Sequence, residues 1–421
     1  MIFNSAKEKF FFYNIPVILF SLLPFFLITG PFLSDLSVSL ISLLFLTYCI
    51  KEKNFSYFKN SYFYFFVIFW IYLILNTIIN NFNIDSLKIS FFYFRYGVFV
   101  IAISTFLDVN EKFIKFFFYC IFFCFIFLIL DGFYQYFVGE NILGWKYSNK
   151  RISSFFGDEK ILGSYISRLW PIFFGLSLFL IKQKKKLFIL LILIFILSES
   201  LIFLSGERSA FFYINLSAIF VILFSQKLFK LRLFTLLCSI FLLVVISYAL
   251  PSAKQRIIDL SLKQMNLMNK AKYEKEGIFI FTEVHTHHYI SAYKMFLDNK
   301  VLGVGVKNFR NFCDQNKYKS KYSCSSHPHN TYIQILSETG IIGFFFLMFI
   351  LFYFCKYIFK HLVNRLNGKN YFTDFEICVL SGILIYIWPI APTGNIFNNW
   401  LNIIMILNFP FLIWSRKLIK T

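Results

Sequence analysis

The chain has 421 residues, of which 58% are hydrophobic and 22% aromatic, while only 15% are charged. Soluble globules carry about a quarter charged residues, so this composition excludes a water-soluble enzyme or binding module and indicates an all-α polytopic membrane protein partnered by a lipid bilayer. The net charge of +21 reads mainly as basic residues retained on one side of a membrane, and no nucleic-acid partner is expected.

Apolar runs of about 20 residues mark membrane spans. Twelve are predicted, at roughly 10–30, 32–50, 61–79, 90–107, 113–138, 161–181, 187–204, 209–225, 233–250, 332–358, 375–391 and 397–414. The basic connections KEKNFSYFKN (51–60), KQKKK (182–186), KLFKLR (227–232), KYIFKHLVNRLNGK (356–369) and the tail SRKLIK fall on one side of this count, with Lys7 and Lys9. Both termini are therefore expected in the cytoplasm. The first run lacks a small-residue cleavage site and reads as a retained span. Three divisions follow: nine spans in 1–250, an exported loop subdomain at 251–331, and three spans in 332–421.

The exported loop carries thirteen Lys and Arg against six Asp and Glu, a net of +7. Long loops translocate regardless of charge, but this surplus calls for an anionic partner. Cys313 and Cys324 both lie in the loop; a bridge between them would close a ring of about a dozen residues, worth on the order of 3 kcal/mol in an oxidising compartment, and two free thiols are the alternative.

Five of the six histidines, His285, His287, His288, His327 and His329, also lie in this loop. Arg95 and Arg168 sit inside predicted spans near their exported ends, as does Asp131, and Arg208 occupies a short exported turn. Ionised groups at membrane depth usually face a cavity or a partner, so arginines and histidines are expected to surround one site at the exported surface. A simpler role for Arg168 is pairing with Asp131.

In SSHPHNTYIQILSETGIIGF (325–344), Pro328 restricts His327 to extended backbone. TYIQ (331–334) fits a capping box with Thr331 as the cap and Gln334 reaching back. Thr331, Gln334 and Glu338 share one helix face, and a helix to about residue 358 would run about 42 Å, projecting its first turns above the bilayer. Free N–H groups at its start would favour phosphate, and its dipole would keep His329 neutral, as a base requires. Gly340 and Gly343 allow close packing. Zinc is not expected, because neither histidine cluster has the helical pair plus carboxylate of zinc hydrolases; no metal and no cofactor are predicted.

HPHNTYIQILSETGIIG resembles the H-x-H-N box of the O-antigen ligase and polymerase superfamily of bacterial inner-membrane glycosyltransferases. SAYKMFLDNKVLGVGVKNFR (291–310), LSGERSAF (204–211) and RISSFFGDEKILGSYISRLWP (151–171) resemble further stretches of that family, with GDE standing where many relatives have a Pro-Asn pair. The resemblance covers about 145–345. It implies a GT-C-like helical bundle with a periplasmic loop, and transfer of a glycan from undecaprenyl diphosphate. The acceptor would be a sugar hydroxyl of lipid A-core in a ligase, or of a second lipid-linked repeat unit in a polymerase. On that reading His329 is the base, and Arg208 and Arg151 bind the diphosphate. Arg310 and Arg168 are further candidates for its charge. Glu338 orients His329 or the acceptor, and His327 and Asn330 contact substrate. A lipid-linked oligosaccharide flippase is the competing class, disfavoured by the lack of a visible internal repeat.

Overall fold

The computed structural model describes residues 3, 5–80, 82–148, 151–180, 185–268 and 280–418. Most of KQKKK, residues 182–184, and the last residues of the basic tail lie outside them. The described residues are helical, with no named strand. In chain order the membrane helices are α1 Ala6–Phe26, α2 Pro31–Lys51, α3 Ser61–Ile79, α4 Ile84–Val109 and α5 Glu111–Val138. There follow α6 Leu162–Leu180, α7 Lys185–Ser205, α8 Arg208–Phe224 and α9 Phe229–Ala249. A loop helix, α10 Glu283–Asp298, precedes α11 Thr331–Leu366, α12 Asp374–Ile387 and α13 Asn399–Leu418. Each of the twelve expected spans is thus a helix. Nine of the helices among the described residues are long and apolar enough to cross a membrane. α8 and α12 have 17 and 14 residues, and at 1.5 Å per residue they fall short of a hydrocarbon core about 30 Å thick.

Aromatic side chains fill the bundle and also coat it. Phe20 of α1 is wholly buried and stacks on Phe117 of α5 with ring centroids 4.6 Å apart, an offset arrangement that the ring quadrupoles favour. Phe116 and Phe127, on the opposite face of α5, are 69% and 58% exposed. An apolar surface this extensive is tolerable only against lipid. α6 runs through the middle, packed on α5, α8 and α12. Its Tyr165 hydroxyl donates to the Pro24 carbonyl at the end of α1 (2.8 Å), one of the carbonyls a helix terminus leaves open.

The connections gather at two ends. At one, Gln226 N–H meets Asp374, Lys417 pairs with Asp108, and Tyr13 reaches the Asn110 carbonyl. At the other, the described parts of the 139–161 and 251–330 segments, the Gly206 turn and the 388–398 connection converge.

Two expectations are corrected here. Arg95 belongs to no polar site: its guanidinium pairs with Asp35 of α2 at 2.5 Å, a link between neighbouring helices. The long helix from 331 is also not straight. Gly340 has φ +63°, and a Cβ there would lie 2.2 Å from the Val301 carbonyl oxygen. Only glycine tolerates both conditions. The chain therefore breaks at Gly340, letting the 300–305 turn run against it: Ile341 N–H binds the Lys300 carbonyl, Val304 N–H that of Ser337, and Gly305 N–H that of Glu338.

Candidate active site

The site begins with a tight turn. His329 has φ +59°, an uncommon conformation for a residue with a side chain, held because its carbonyl accepts Thr393 N–H at 2.8 Å. The helix cap lies one residue earlier than expected. Asn330 Oδ1 accepts Tyr332 N–H (3.0 Å) and Ile333 N–H (3.1 Å), and its amide donates to the Pro389 carbonyl. Asn330 thus braces the turn, and it occupies N–H groups that were expected to receive phosphate. Thr331 instead meets the Thr393 hydroxyl, and Gln334 bonds Glu338, Asn395 and Ile396 N–H. No capping box forms.

Hydrogen counting assigns the imidazole tautomers. The single hydroxyl proton of Ser325 goes to the His327 carbonyl (2.5 Å), so its oxygen accepts from His329 Nε2–H (3.1 Å). The lone pair of neutral His329 therefore sits on Nδ1, which makes no hydrogen bond among the described residues. His327 is used at both nitrogens: Nε2–H faces the Thr393 carbonyl (3.2 Å) and Nδ1 accepts from Ser326 (2.9 Å). It ties the turn to the 388–398 connection.

α10 delivers the other imidazoles. Its cap, Thr282, accepts His285 N–H, which puts His285, His288 and Tyr289 on one face at spacings of three and four. The His285 and His288 rings lie 5.2 and 5.3 Å from His329. His287 falls on another face and bonds Ser320. Burial, then the charge that His288 would carry, lowers His329 to about 4. Burial, then His329 and further cationic neighbours including Arg208, lowers His285 to about 4. Burial followed by His329 lowers His327 to about 3. All three are neutral near pH 7.

Beside His285 stands a group of arginines. Arg208 NH1 donates to Gln264 (2.6 Å) and Ser261 (3.3 Å), and Arg151 NH2 donates to the Lys160 carbonyl (2.6 Å). Arg256, from the loop helix after α9, lies within electrostatic reach of both. Its stem crosses Gly206 so closely that a Cβ there would sit 2.8 Å from Arg256 Cγ. Buried Nε atoms of Arg151 and Arg256 have no hydrogen-bond partner among the described residues. The acidic neighbour is Glu207, whose carboxylate accepts Gly163 N–H (2.7 Å) and Ser164 N–H (3.0 Å) at the start of α6. Burial raises Glu207, against the opposing pull of Arg151. Arg151, Arg208 and Arg256 thus lie within electrostatic reach of one another, while the carboxylate that acts on Arg151 is committed to backbone N–H groups. Glu207, Arg256 and Ser325 were not anticipated. Glu207 adjoins Arg208 in the GER turn and Ser325 lies four residues before His329, whereas Arg256 is hidden among the loop's thirteen basic residues.

Residues 190–348 match the family model described as O-antigen ligase. That segment of the chain is similar to the O-antigen ligase family. A search of curated proteins gives no match. The O-antigen ligase match contains Arg208, Arg256 and all five loop histidines; Arg151 and Arg168 lie before it.

The remaining candidates take other places. Glu338 is fully buried and accepts Phe309 N–H and Lys307 N–H (both 3.1 Å) and Gln334 Nε2 (3.0 Å). It shapes the 303–309 turn and does not orient His329, because both oxygens are committed below the helix break. Arg310 is exposed and donates to the Ser326 carbonyl (3.2 Å), beside the histidine turn and apart from the arginine group. Arg168 does not pair with Asp131, which bonds Ser154, Asn141 and Ile142 N–H. Its guanidinium reaches Ser164 and lies over the Tyr213 ring. A disulfide joins Cys313 and Cys324, closing the segment just before the histidine turn.

Proposed function

We propose that this chain is an O-antigen ligase-type glycosyltransferase that moves a glycan from undecaprenyl diphosphate to a sugar hydroxyl of lipid A-core. The reading places both termini in the cytoplasm of a bacterial inner-membrane protein and the histidine turn in the periplasm, from the side that holds the basic short connections. One observation carries it: a neutral imidazole with a free Nδ1 lone pair stands among histidines that adjoin a group of three arginines.

The chemistry is a single displacement. The acceptor hydroxyl oxygen forms a bond to the anomeric carbon of the donor while the bond from that carbon to the diphosphate oxygen breaks, inverting the centre. The hydroxyl proton passes to His329 Nδ1, and the bonding pair leaves with undecaprenyl diphosphate. Arg151, Arg208 and Arg256 offset the charge that develops on the leaving group, the kind of preorganised stabilisation worth about 2.7–4 kcal/mol per donor. His329→Ala should slow transfer about 10²–10⁴-fold with normal protein levels, and Arg208→Ala should slow turnover of the lipid-linked donor about 10²–10³-fold. Wild-type rates in either variant would reject the assignment. Lipopolysaccharide gels of a deletion strain separate ligase from polymerase: loss of all capped chains marks the ligase, and single-repeat capping marks a polymerase joining lipid-linked repeat units.

A further inference from the structure

At the bundle end opposite the histidine turn, cations gather on a cluster of tyrosines. Lys360 Nζ, near the end of α11, and the guanidinium carbon of Arg416 in α13 each lie 4.5 Å from the centroid of the Tyr371 ring. Lys356, one turn earlier on α11, holds its Nζ 5.6 Å from the Tyr353 ring. Tyr357 stacks on Tyr371 with ring planes 14° apart and contacts Tyr353, centroids 5.2 Å apart. Tyr62, at the start of α3, is within electrostatic reach of Arg416, Tyr353 and Tyr371.

The acids at this end are already committed. Lys356 and Lys360 are exposed and make no ion pair among the described residues. Arg416 lies 3.6 Å from Glu376, a fully buried carboxylate that also accepts Thr373 N–H (2.8 Å) and the Ser415 hydroxyl (3.3 Å). Asp374 accepts Gln226 N–H and Lys227 N–H. The depth is that of phospholipid headgroups. From Ile341, just past the helix break, to Leu366 the helix rises about 39 Å against a hydrocarbon core about 30 Å thick, which puts Lys360 near the core boundary and the last turn beyond it. Tyrosines are enriched at that level as interfacial anchors.

The same face of α11 continues into the bilayer as an apolar stripe. Phe345, Phe349, Phe352, Lys356 and Lys360 recur at spacings of three and four, and the three phenylalanines are exposed. Exposed rings below and cations above match the two ends of an amphiphile, whereas a soluble polyanion would leave the stripe unused. We infer that this face is a binding site for an anionic phospholipid: Lys356, Lys360 and Arg416 surround its phosphate, the tyrosine rings flank its glycerol, and an acyl chain lies along the phenylalanine stripe. The rings also hold the cations in place, so little side-chain freedom is lost on binding. The site stands whether or not the histidine turn performs transfer.

The test follows lipid retention by the purified, delipidated full chain in neutral detergent, using native mass spectrometry and thermal shift, with phosphatidylglycerol, phosphatidylcholine or inorganic phosphate added. Phosphatidylglycerol should bind saturably and raise Tm, phosphatidylcholine should bind at least about tenfold more weakly, and phosphate alone should have no effect. Each basic residue near the headgroups contributes about fivefold. The double variant Lys356→Gln, Lys360→Gln should therefore weaken phosphatidylglycerol at least about tenfold. Lys317→Gln with Lys319→Gln, an equal loss of charge from exposed positions of the exported loop, should leave it unchanged. Equal retention of the two lipids, a Tm rise with phosphate alone, unchanged affinity in the α11 variant, or an equal loss in the loop variant overturns the site.

Discussion

Acidification is the most discriminating perturbation of the proposed base. His329 is lowered from 6.5 to about 4, by burial first and by His288 second. With that value about nine tenths of the imidazole is still neutral at about pH 5, whereas at an unperturbed 6.5 only about 3% would be. Between about pH 7.5 and 5, kcat/KM for the lipid-linked donor should therefore change by little more than about 10%, against a fall of about 30-fold for an ordinary histidine. Because kcat/KM reports the free enzyme and kcat the complex, bound diphosphate should favour the imidazolium and move the kcat midpoint upward. The assay is donor consumption by the purified chain in nanodiscs across this range, with His329→Ala as the baseline. A kcat/KM midpoint near 6.5 would refute the claim that burial sets this base. Stability follows with a definite sign. The unfolded chain takes up protons near 6.5 that the folded turn refuses until about 4, so stability is full above about pH 6.5 and declines as pH falls towards 4. For partly exposed groups the loss is on the order of 1–3 kcal/mol after screening.

Three further outcomes are expected. Ser325→Ala removes the acceptor that holds His329 Nε2–H and should lower kcat about 3–10-fold, with Ser325→Thr restoring it; equal rates in both variants would dismiss the tautomer assignment. Glu338→Gln sets an amide donor against the Phe309 and Lys307 N–H groups and should cost about 1–3 kcal/mol in denaturation, while activity per folded molecule holds; a selective fall in kcat at normal stability would return Glu338 to the chemistry. Cys313→Ser opens a loop of sequence separation 11 and should cost about 3 kcal/mol, read as a lowered Tm that reductant reproduces in the wild type.

Membrane helices and the clustering of chemistry were legible in the chain itself, because a hydrocarbon solvent demands long apolar runs and makes every ionisable residue conspicuous. Arg208 in its short turn, His329 before a helix start, and the two loop cysteines stand out on that ground. Which polar residues are tied to backbone and which are left open was decided only by tertiary structure. Glu338, Asn330 and His327 share the polarity of active residues, yet each spends its side chain on backbone groups brought from 307–309, 389 and 393. Arg256 joins the site only because Gly206, lacking a Cβ, lets its stem cross the turn. Span positions follow from local hydropathy, but hydrogen-bond partners depend on which distant backbone groups the fold leaves open, and local sequence carries no record of those.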